Sequence, residues 1–265
     1  MADEKSIQET ILKDTPRMGP DDRFTFHCGP DLPCFTKCCG DVNIVLTPYD
    51  VIRLKRGLGL ESGEFLERYT ILPFTKDQKI PLILLKMDPT AKRCLLLGEK
   101  GCGVYRDRPW ACRMYPLGIA NPREPNPQDH AFFFLLREEQ CEGVDKGREM
   151  TVRDWVKDQG IEEYDVNCAS FQSLMLHPFW DKEEALSPEK IEMFHMACYD
   201  LDRFRRFVFE SSFLKRFDVD ESRAEAMMED DEELLEFAMQ WLRFVLFGEK
   251  TMKPRREIAE TFEQR

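Results

Sequence analysis

The sequence lacks the motifs that identify the common nucleotide-binding and hydrolase classes. It contains no G-x-G-x-x-G fingerprint, no Walker A loop and no H-E-x-x-H pair. It also has only four histidines in 265 residues, which argues against a histidine-rich zinc hydrolase. No enzyme class is therefore indicated by a standard catalytic signature.

Long hydrophobic runs are missing as well. The longest, PLILL after Ile80 and AFFFLL from Ala131, are far shorter than the roughly 20 apolar residues that a membrane-spanning helix needs. The first residues are polar and show no hydrophobic core of a signal peptide. We therefore expect no membrane association and a cytoplasmic location, where thiols stay reduced.

Positive charge is scarce, because 38 Lys and Arg face 50 Asp and Glu and the net charge is −12. A nucleic-acid-binding protein needs a basic face to replace phosphate counterions, so we expect no nucleic-acid partner. Residues 218–236 carry ten acidic side chains and one arginine. This acidic stretch is either a solvated helix face or a docking surface for a basic protein partner or substrate.

The pattern of turn signals and hydrophobic periodicity predicts an α+β protein that is mostly helical. A polar N-terminal segment (1–22) precedes a loop-rich metal-binding half with a few short strands (23–150). A helical half (151–265) follows and is expected to pack on it. The clearest predicted helix is TPYDVIRLKRGLG, with Thr47 as N-cap, Pro48 at the first position and a glycine at its end. Long helices are predicted from Ser187 and over 221–247.

Cysteine is what the sequence has in abundance, with ten residues. A chain of this length can bury a hydrophobic core large enough to be stable without disulfides, and a reducing compartment disfavours disulfides. Cys168 and Cys198 lie in helical, apolar patterns and are expected to be buried, inert thiols. The other eight lie in turns beside Gly, Pro and charged residues, where a core thiol is least expected.

The spacing of these eight thiols indicates a metal centre. Soft thiolates select zinc, iron or iron–sulfur clusters over magnesium or calcium. Cys38 and Cys39 are adjacent, and consecutive side chains diverge, so they seldom bind one ion together. Eight cysteines are enough for two four-thiolate sites, or for one larger cluster, and both arrangements stay open.

Four motifs together resemble one known family. They are CGPDLPCFTKCC, VLTPYDVIRL, CLLL and CGVYRDRPWACRMYPLG, followed by a C-x-G element at Cys141. Over about residues 24–145 the chain resembles the CxxCxxCC family, described as a zinc- or iron-chelating domain. The family includes the flagellin lysine-N-methylase, which is associated with an iron–sulfur cluster. The spacing here is C-x5-C-x3-CC, so His27 is a candidate substitute for Cys28.

The resemblance and the thiol count together imply a cofactor, for which a 4Fe-4S cluster is favoured and zinc is the alternative. The implied activity is protein lysine methylation or electron transfer, and the alternative is a non-catalytic, zinc-stabilised interaction module. Arg108 and Arg113 flank Cys112 and are candidates to neutralise the site. Arg108 could instead cap a helix or pair with Asp107 or Asp41. Tyr105 and Tyr115 are expected to pack beside it. The predicted metal ligands are Cys28, Cys34, Cys38, Cys39, Cys94, Cys102, Cys112 and Cys141.

Overall fold

A computed structural model describes residues 15–73, 80–120, 131–181 and 186–255. The chain divides into two compact units, each assembled from separate segments. The first, here called the cysteine unit, draws its described residues from 1–42, 87–105 and 110–164. The second, the helical unit, draws them from 43–86, 106–109 and 165–265.

The described residues form nine short strands: β1 (Arg23–Phe26), β2 (Val45–Leu46), β3 (Thr70–Ile71), β4 (Ile83–Leu85), β5 (Leu97–Gly98), β6 (Gly101–Cys102), β7 (Leu117–Ala120), β8 (Phe132–Leu135) and β9 (Arg148–Thr151). The α-helices in the same part of the chain are α1 (Pro48–Leu58), α2 (Ser62–Tyr69), α3 (Trp110–Met114), α4 (Val152–Asp158), α5 (Ile161–Met175), α6 (Pro188–Cys198), α7 (Leu201–Glu210), α8 (Phe213–Arg216), α9 (Glu221–Glu229) and α10 (Asp231–Leu242). Short 3₁₀ turns occur at Lys37–Cys39, Tyr105–Asp107 and Pro178–Asp181, and a π-helical turn covers Arg243–Phe247. The prediction of a mostly helical α+β protein is therefore confirmed.

Three separate two-stranded antiparallel sheets belong to the cysteine unit: β1–β9, β5–β6 and β7–β8. An isolated two-stranded sheet is marginal in water, so side-chain packing has to hold these pairs. The core shared by β1–β9 and β7–β8 centres on Phe24, Phe26, Met114, Leu117 and Val152, and Cys141 packs against it. Trp155 adds edge-on ring contacts to Phe24 and Phe26.

Helical packing dominates the helical unit, beside one three-stranded sheet of order β2–β4–β3. Thr47 caps α1 in a full capping box with Asp50, and Gly59 ends it at φ +66°. Helix α10 is buried on most sides, and its Trp241 lies 5.4 Å from the Phe204 ring of α7. This aromatic contact gives the helices a common core.

A buried ion cluster also lies inside the helical unit. Lys55 Nζ contacts Asp202 at 3.0 Å and Asp231 at 3.1 Å, and Arg205 bonds both carboxylates. The Ser62 backbone N–H donates to Asp202 at 2.6 Å. Burial acts against ionisation, but these donors hold the pKa values of Asp202 and Asp231 below their usual range. The cluster links α1, α2, α7 and α10.

The predicted long helices are shorter than expected. The helix predicted from Ser187 stops at Cys198, and Asp200 caps α7 because its carboxylate accepts the Arg203 N–H. The helix predicted over 221–247 is likewise divided, because Asp230 caps α10 through the Glu232 N–H. Within the described residues, no helix has the length and apolar character needed to cross a membrane.

Some predictions concern segments that the structure does not describe. Residues 1–14 of the predicted N-terminal segment lie outside the described residues, as does the proline-rich stretch 121–128. The predicted domain boundaries and the packing of one half on the other stay predictions. The compact units interleave along the chain instead of following one another, because 43–86 group with the helices.

Candidate metal centre

All eight predicted ligand cysteines belong to the cysteine unit, whereas Cys168 and Cys198 belong to the helical unit. All ten cysteines are free thiols. The eight predicted ligands therefore lie in one compact unit and the two predicted core thiols in the other.

Successive tight turns compress the loop after β1. Backbone bonds join Leu32 to Gly29, Phe35 to Leu32, Lys37 to Cys34 and Cys39 to Thr36, at 2.9–3.1 Å. Thr36 adopts a left-handed conformation with φ 67°, and Arg93 donates to its hydroxyl at 2.8 Å. Because each turn reverses the chain locally, the thiols of this loop stay near one another despite the longer sequence spacing.

The C-x-G element at Cys141 is fixed against the start of this loop. The His27 N–H donates to the Gly143 carbonyl at 3.0 Å. A Cβ on Gly143 would overlap the His27 carbonyl oxygen, so only glycine permits this approach. The Glu142 N–H also donates to the Cys34 sulfur at 3.4 Å. Cys141 is thereby held beside Cys28 and Cys34.

The far end of the loop is fixed to a different segment. The Cys94 N–H donates to the Cys39 carbonyl at 2.8 Å, and the Asp41 N–H donates to the Lys92 carbonyl at 2.7 Å. Cys94 precedes the β5–β6 hairpin, in which Cys102 pairs with Leu97. Backbone pairing thus gathers Cys39, Cys94 and Cys102.

Helix α3 supplies Cys112. The two residues after Cys112, Arg113 and Met114, are buried, and Met114 is part of the core of the cysteine unit. The Tyr115–Pro116 peptide bond that follows is cis. Cys112 itself is half-buried, so the helix is anchored by its neighbours while the thiol stays near the surface of the unit.

The pKa values of the thiols depend on the neighbours that these backbone bonds place beside them. The pKa of Cys28 is raised to about 11, first by burial and then by the charges of Cys38, Cys34 and Cys141. The pKa of Cys39 is also raised, by a hydrogen bond to Cys38, by burial, and by the charges of Cys38, Cys112 and Cys94.

The two adjacent thiols contact each other. The Cys39 thiol stabilises the Cys38 thiolate by a hydrogen bond, which lowers the pKa of Cys38 to about 7 despite its burial. Cys38 and Cys39 lie between two groups of thiols whose other members come from different segments of the chain.

We define these groups as two sets. The first set lies beside the C-x-G element and consists of Cys28, Cys34, Cys38 and Cys141. The second set lies beside the β5–β6 hairpin and consists of Cys39, Cys94, Cys102 and Cys112. As whole residues Cys28 and Cys38 of the first set are exposed, although their sulfurs are partly buried. Cys34 of the same set is buried and Cys141 is half-buried, as is every member of the second set.

The donor chemistry of both sets fits zinc or iron, because all members are thiols. Among the described residues, however, no group of three or more His, Cys, Asp or Glu side chains is arranged to hold a metal ion as it stands. Binding to either set therefore requires side-chain movements that bring the sulfurs to about 2.3 Å from a zinc ion. The eight-cysteine ligand set stays a prediction.

The two arginines predicted beside the site, Arg108 and Arg113, have different surroundings. Arg113 is buried, donates to the Gln159 carbonyl at 2.8 Å and lies 4.6 Å from the Tyr164 ring centre. Arg108 is also buried but belongs to the helical unit. Its predicted alternative partner Asp107 bonds Arg53 at 2.9 Å. The roles of both arginines toward a metal stay predictions.

The histidine and tyrosine predictions have different outcomes. His27 uses Nε2 in a bond to Asp31 at 2.9 Å, which holds the pKa of that carboxyl below its usual range. Tyr115 lies beside the first set, and burial together with a hydrogen bond to Cys141 raises its pKa. Tyr105 is 61% exposed, and the expectation that it packs beside the site stays a prediction.

Cys168 and Cys198 are buried, as predicted, at 3% and 0% exposure. The Cys168 thiol donates to the Thr47 hydroxyl at 3.3 Å. Burial raises the pKa of Cys168 to about 12 and raises that of Cys198 strongly. Both groups therefore behave as protonated core thiols.

Sequence reasoning missed Glu138 as a neighbour of the site. Its charge raises the pKa of Cys38, and the Tyr115 hydroxyl donates to its carboxylate at 3.4 Å. No local motif marks it, since it lies among exposed polar residues before Cys141. The steric role of Gly143 was also missed, although the C-x-G element contained the signal.

Comparison with known proteins gives one family. The model of the CxxCxxCC family, described as "Putative zinc- or iron-chelating domain", matches residues 27–169. No curated protein and no solved structure matches the chain. The matched region covers all eight predicted ligand cysteines and extends to Cys168.

Proposed function

The chain belongs to the CxxCxxCC family of metal-chelating domains, and from this premise we propose that the cysteine unit holds an iron–sulfur cluster of the 4Fe-4S type. Four thiolates hold such a cluster, and the predicted ligands are the thiols of the two sets, which would suffice for two clusters. Such a cluster supplies one-electron redox chemistry when bound. The observation that carries the proposal is the gathering of eight thiols in one compact unit, apart from the two core thiols.

Backbone amides near the sulfurs support iron over zinc. The Glu142 N–H already donates to the Cys34 sulfur, and hydrogen bonds to ligand sulfurs tune the reduction potential of iron–sulfur clusters. The loop contains Gly29 and Gly40, which allow close backbone approach. Zinc has no accessible redox change and gains no such benefit.

We further propose that the protein works in the cytoplasm, in electron transfer or in methylation of lysines on a protein partner. The acidic stretch 218–236 is the proposed docking surface. Part of it is already used within the helical unit, because Asp218 pairs with Lys253 and Asp231 with Lys55. The exposed acids that remain, such as Glu221 and Glu225, would attract a lysine-bearing segment.

The alternative is a zinc-stabilised interaction module, and the β5–β6 hairpin favours it. Each of its strands has only two residues, so the hairpin is too small to be stable alone. Zinc bound by thiolates commonly holds such small elements together.

Metal analysis of protein purified without air tests both readings. We expect iron and acid-labile sulfide in comparable amounts, with broad absorption near 400 nm. Stoichiometric zinc without sulfide, in protein never exposed to air, would refute the iron–sulfur proposal and favour the interaction module. Lysine methylation is tested separately, with a lysine-bearing protein and a methyl donor.

A further inference from the structure

We propose that the free edge of β1 binds an extended peptide segment of a partner protein, which adds to the β1–β9 sheet as a third strand. The site lies in the cysteine unit but uses none of the cysteines. The inference therefore goes beyond the proposed metal binding and the proposed reaction, and it depends on neither.

The register of β1 determines which of its backbone groups face away from β9. The Val152 N–H donates to the Asp22 carbonyl at 3.0 Å, so alternate residues from Asp22 onward bond to β9. Arg23 and Thr25 lie between those residues, and their N–H and C=O groups point to the opposite edge. Among the residues that the structure describes, none accepts a bond from the N–H of Arg23 or Thr25. β1 therefore presents unpaired backbone donors at this edge.

A short segment after β8 already shows how a third strand fits here. Val144 forms an antiparallel bridge with Phe26, and the Asp145 N–H donates to the Thr25 carbonyl at 3.0 Å. Asp145 then adopts a left-handed conformation, with φ 64°, and the chain turns away. The third-strand position is thus filled beside Phe26, whereas within the described part of the chain it is open beside Arg23.

A cavity of about 740 Å³ lies along the open part of this edge, within the roughly 300–1,000 Å³ that is typical of ligand sites. Thr25 and Asp145, which meet at the edge, both line the cavity, as do residues 134–137 at the end of β8. Phe24 and Phe134 also contribute to its lining, and both rings are buried in the core. The cavity therefore gives the side chains of an added strand an apolar surface beside the free backbone groups.

A second unpaired backbone group lines the same cavity. Met18 pairs with Phe133 of β8 through two backbone bonds, of 2.7 and 2.9 Å. The same pairing places Pro16 opposite Leu135, and it stops there because proline has no N–H. The alternation along β8 directs the Leu135 N–H away from β7, and no described residue accepts a bond from it. Free strand edges of this kind recruit extended peptides.

The charges around the cavity select the kind of peptide. Arg23 pairs with Glu149 at 2.8 Å and Arg137 pairs with Asp145 at 2.6 Å, and all four side chains are more than half exposed. Such exposed pairs contribute little to stability and open at low cost. The lining as a whole contains three arginines and three acids: Arg17, Arg23, Arg137, Asp22, Asp145 and Glu149. A strand with charges of both signs complements this rim, whereas a polyanion such as nucleic acid does not.

Binding of a defined peptide tests the site. The probe is the acetylated, fluorescently labelled peptide Lys-Val-Glu-Val-Lys-Val-Glu, whose valines favour an extended conformation and whose charges are of both signs. Two control peptides have the same side chains, one N-methylated at its valines and the other at its charged residues. Because successive N–H groups of a strand point to opposite edges, each control peptide has one blocked edge. Binding to the full chain is measured by fluorescence anisotropy.

Two substitutions of Thr25 locate the binding. Thr25→Pro removes the free N–H but leaves the bonds of the neighbouring residues to β9 in place, and proline is tolerated at such edge positions. Thr25→Val changes the side chain and keeps the N–H, so it is the matched control. Circular dichroism checks that both variants fold.

We expect one control peptide to keep binding and the other to bind about tenfold more weakly than the probe, because it loses one or two backbone bonds. Thr25→Pro should weaken binding of the probe by a similar factor, and Thr25→Val should not. Amide hydrogen exchange at Arg23 and Thr25, followed by NMR, should slow when the probe is bound. If Thr25→Pro does not fold, the control peptides and the exchange rates carry the test, since both use the parent chain.

Three results would overturn the proposal. The first is no binding of the probe at about 1 mM, or equal binding of the probe and both control peptides, which excludes strand addition. The second is equal binding to the parent and to Thr25→Pro, with unchanged exchange at Arg23, which places the peptide elsewhere. The third is self-association of the parent chain that Thr25→Pro abolishes, measured by sedimentation without peptide, which makes a second copy the occupant. All three are independent of whether the protein contains iron or zinc.

Discussion

Replacing Gly143 by alanine should selectively damage the first set of thiols. Gly143 has no positive φ, so the substitution causes no backbone strain and acts only through contact. The new Cβ would overlap the His27 carbonyl oxygen and lie 3.1 Å from a ring carbon of Phe26. Since a carbonyl oxygen is backbone and cannot rotate away, the segments carrying Cys28 and Cys141 must separate.

The expected loss in the free energy of unfolding follows from two costs and one smaller gain. Forced separation of packed backbone costs about 1–3 kcal/mol, and the weakened bond from His27 N–H to Gly143 adds about 0.5–1.5 kcal/mol. Alanine also restricts the unfolded chain, which returns about 0.4–1 kcal/mol. We therefore expect a loss of about 2 kcal/mol in the free energy of unfolding, with less bound metal.

Gly19→Ala is the matched control. Its Cβ would lie 3.7 Å from the nearest atom, an Asp22 oxygen, which is an ordinary contact. Denaturant unfolding of both variants, with metal analysis, makes the comparison. If Gly143→Ala is as stable as Gly19→Ala and releases metal with the parent's kinetics, then the close approach at His27 does not hold the first set together.

Three further predictions concern the helical unit and the inert thiols. Alanine at Cys168 or Cys198 should leave the bound metal unchanged, and a loss of a quarter or more by metal analysis would mean that the ligand set is wrongly assigned. Lys55→Met should lower the free energy of unfolding by an amount near the lower end of about 3–5 kcal/mol, because Arg205 still pairs with both carboxylates. An unchanged denaturation midpoint would contradict a structural role for the ion cluster. The lowered pKa values of Asp202 and Asp231 mean that their contribution to stability is fully present above the unfolded pKa of about 3.9 and is lost as pH falls through the folded values. Thermal melts between pH 6 and pH 2 should show this loss in the parent and a smaller one in an Asp202→Asn variant, and equal losses would contradict it.

The sequence predicted helix boundaries correctly where the capping residues act within one helical turn. The capping box of Thr47 with Asp50 and the glycine at 59 fixed α1, because cap chemistry is local. The breaks at Asp200 and Asp230 were missed because an aspartate in a helical pattern is ambiguous. Its capping role depends on tertiary partners, such as the Ser62 hydroxyl that bonds Asp200.

The residue types of the candidate site were readable, but their grouping was not. Turn chemistry and thiol count predicted the eight cysteines as ligands, which stays a prediction. Apolar helical patterns predicted Cys168 and Cys198 as core residues, and both are buried. Which thiols lie together depends on bonds between distant segments, such as Cys39 with Cys94 and His27 with Gly143. A single sequence contains no record of such pairs, so the division into two sets required the structure.

The discontinuous layout of the cysteine unit has a consequence for its biosynthesis. The helical unit's segment 43–86 lies between Cys39 and Cys94, so neither thiol set is complete while that segment is being made. The second set is complete once Cys112 has been translated, whereas the first waits for Cys141 and for the glycine that seats it. Segments that are made first are free to fold first during synthesis. The thiols of the second set can therefore come together before those of the first, in which Cys28, Cys34 and Cys38 wait for Cys141.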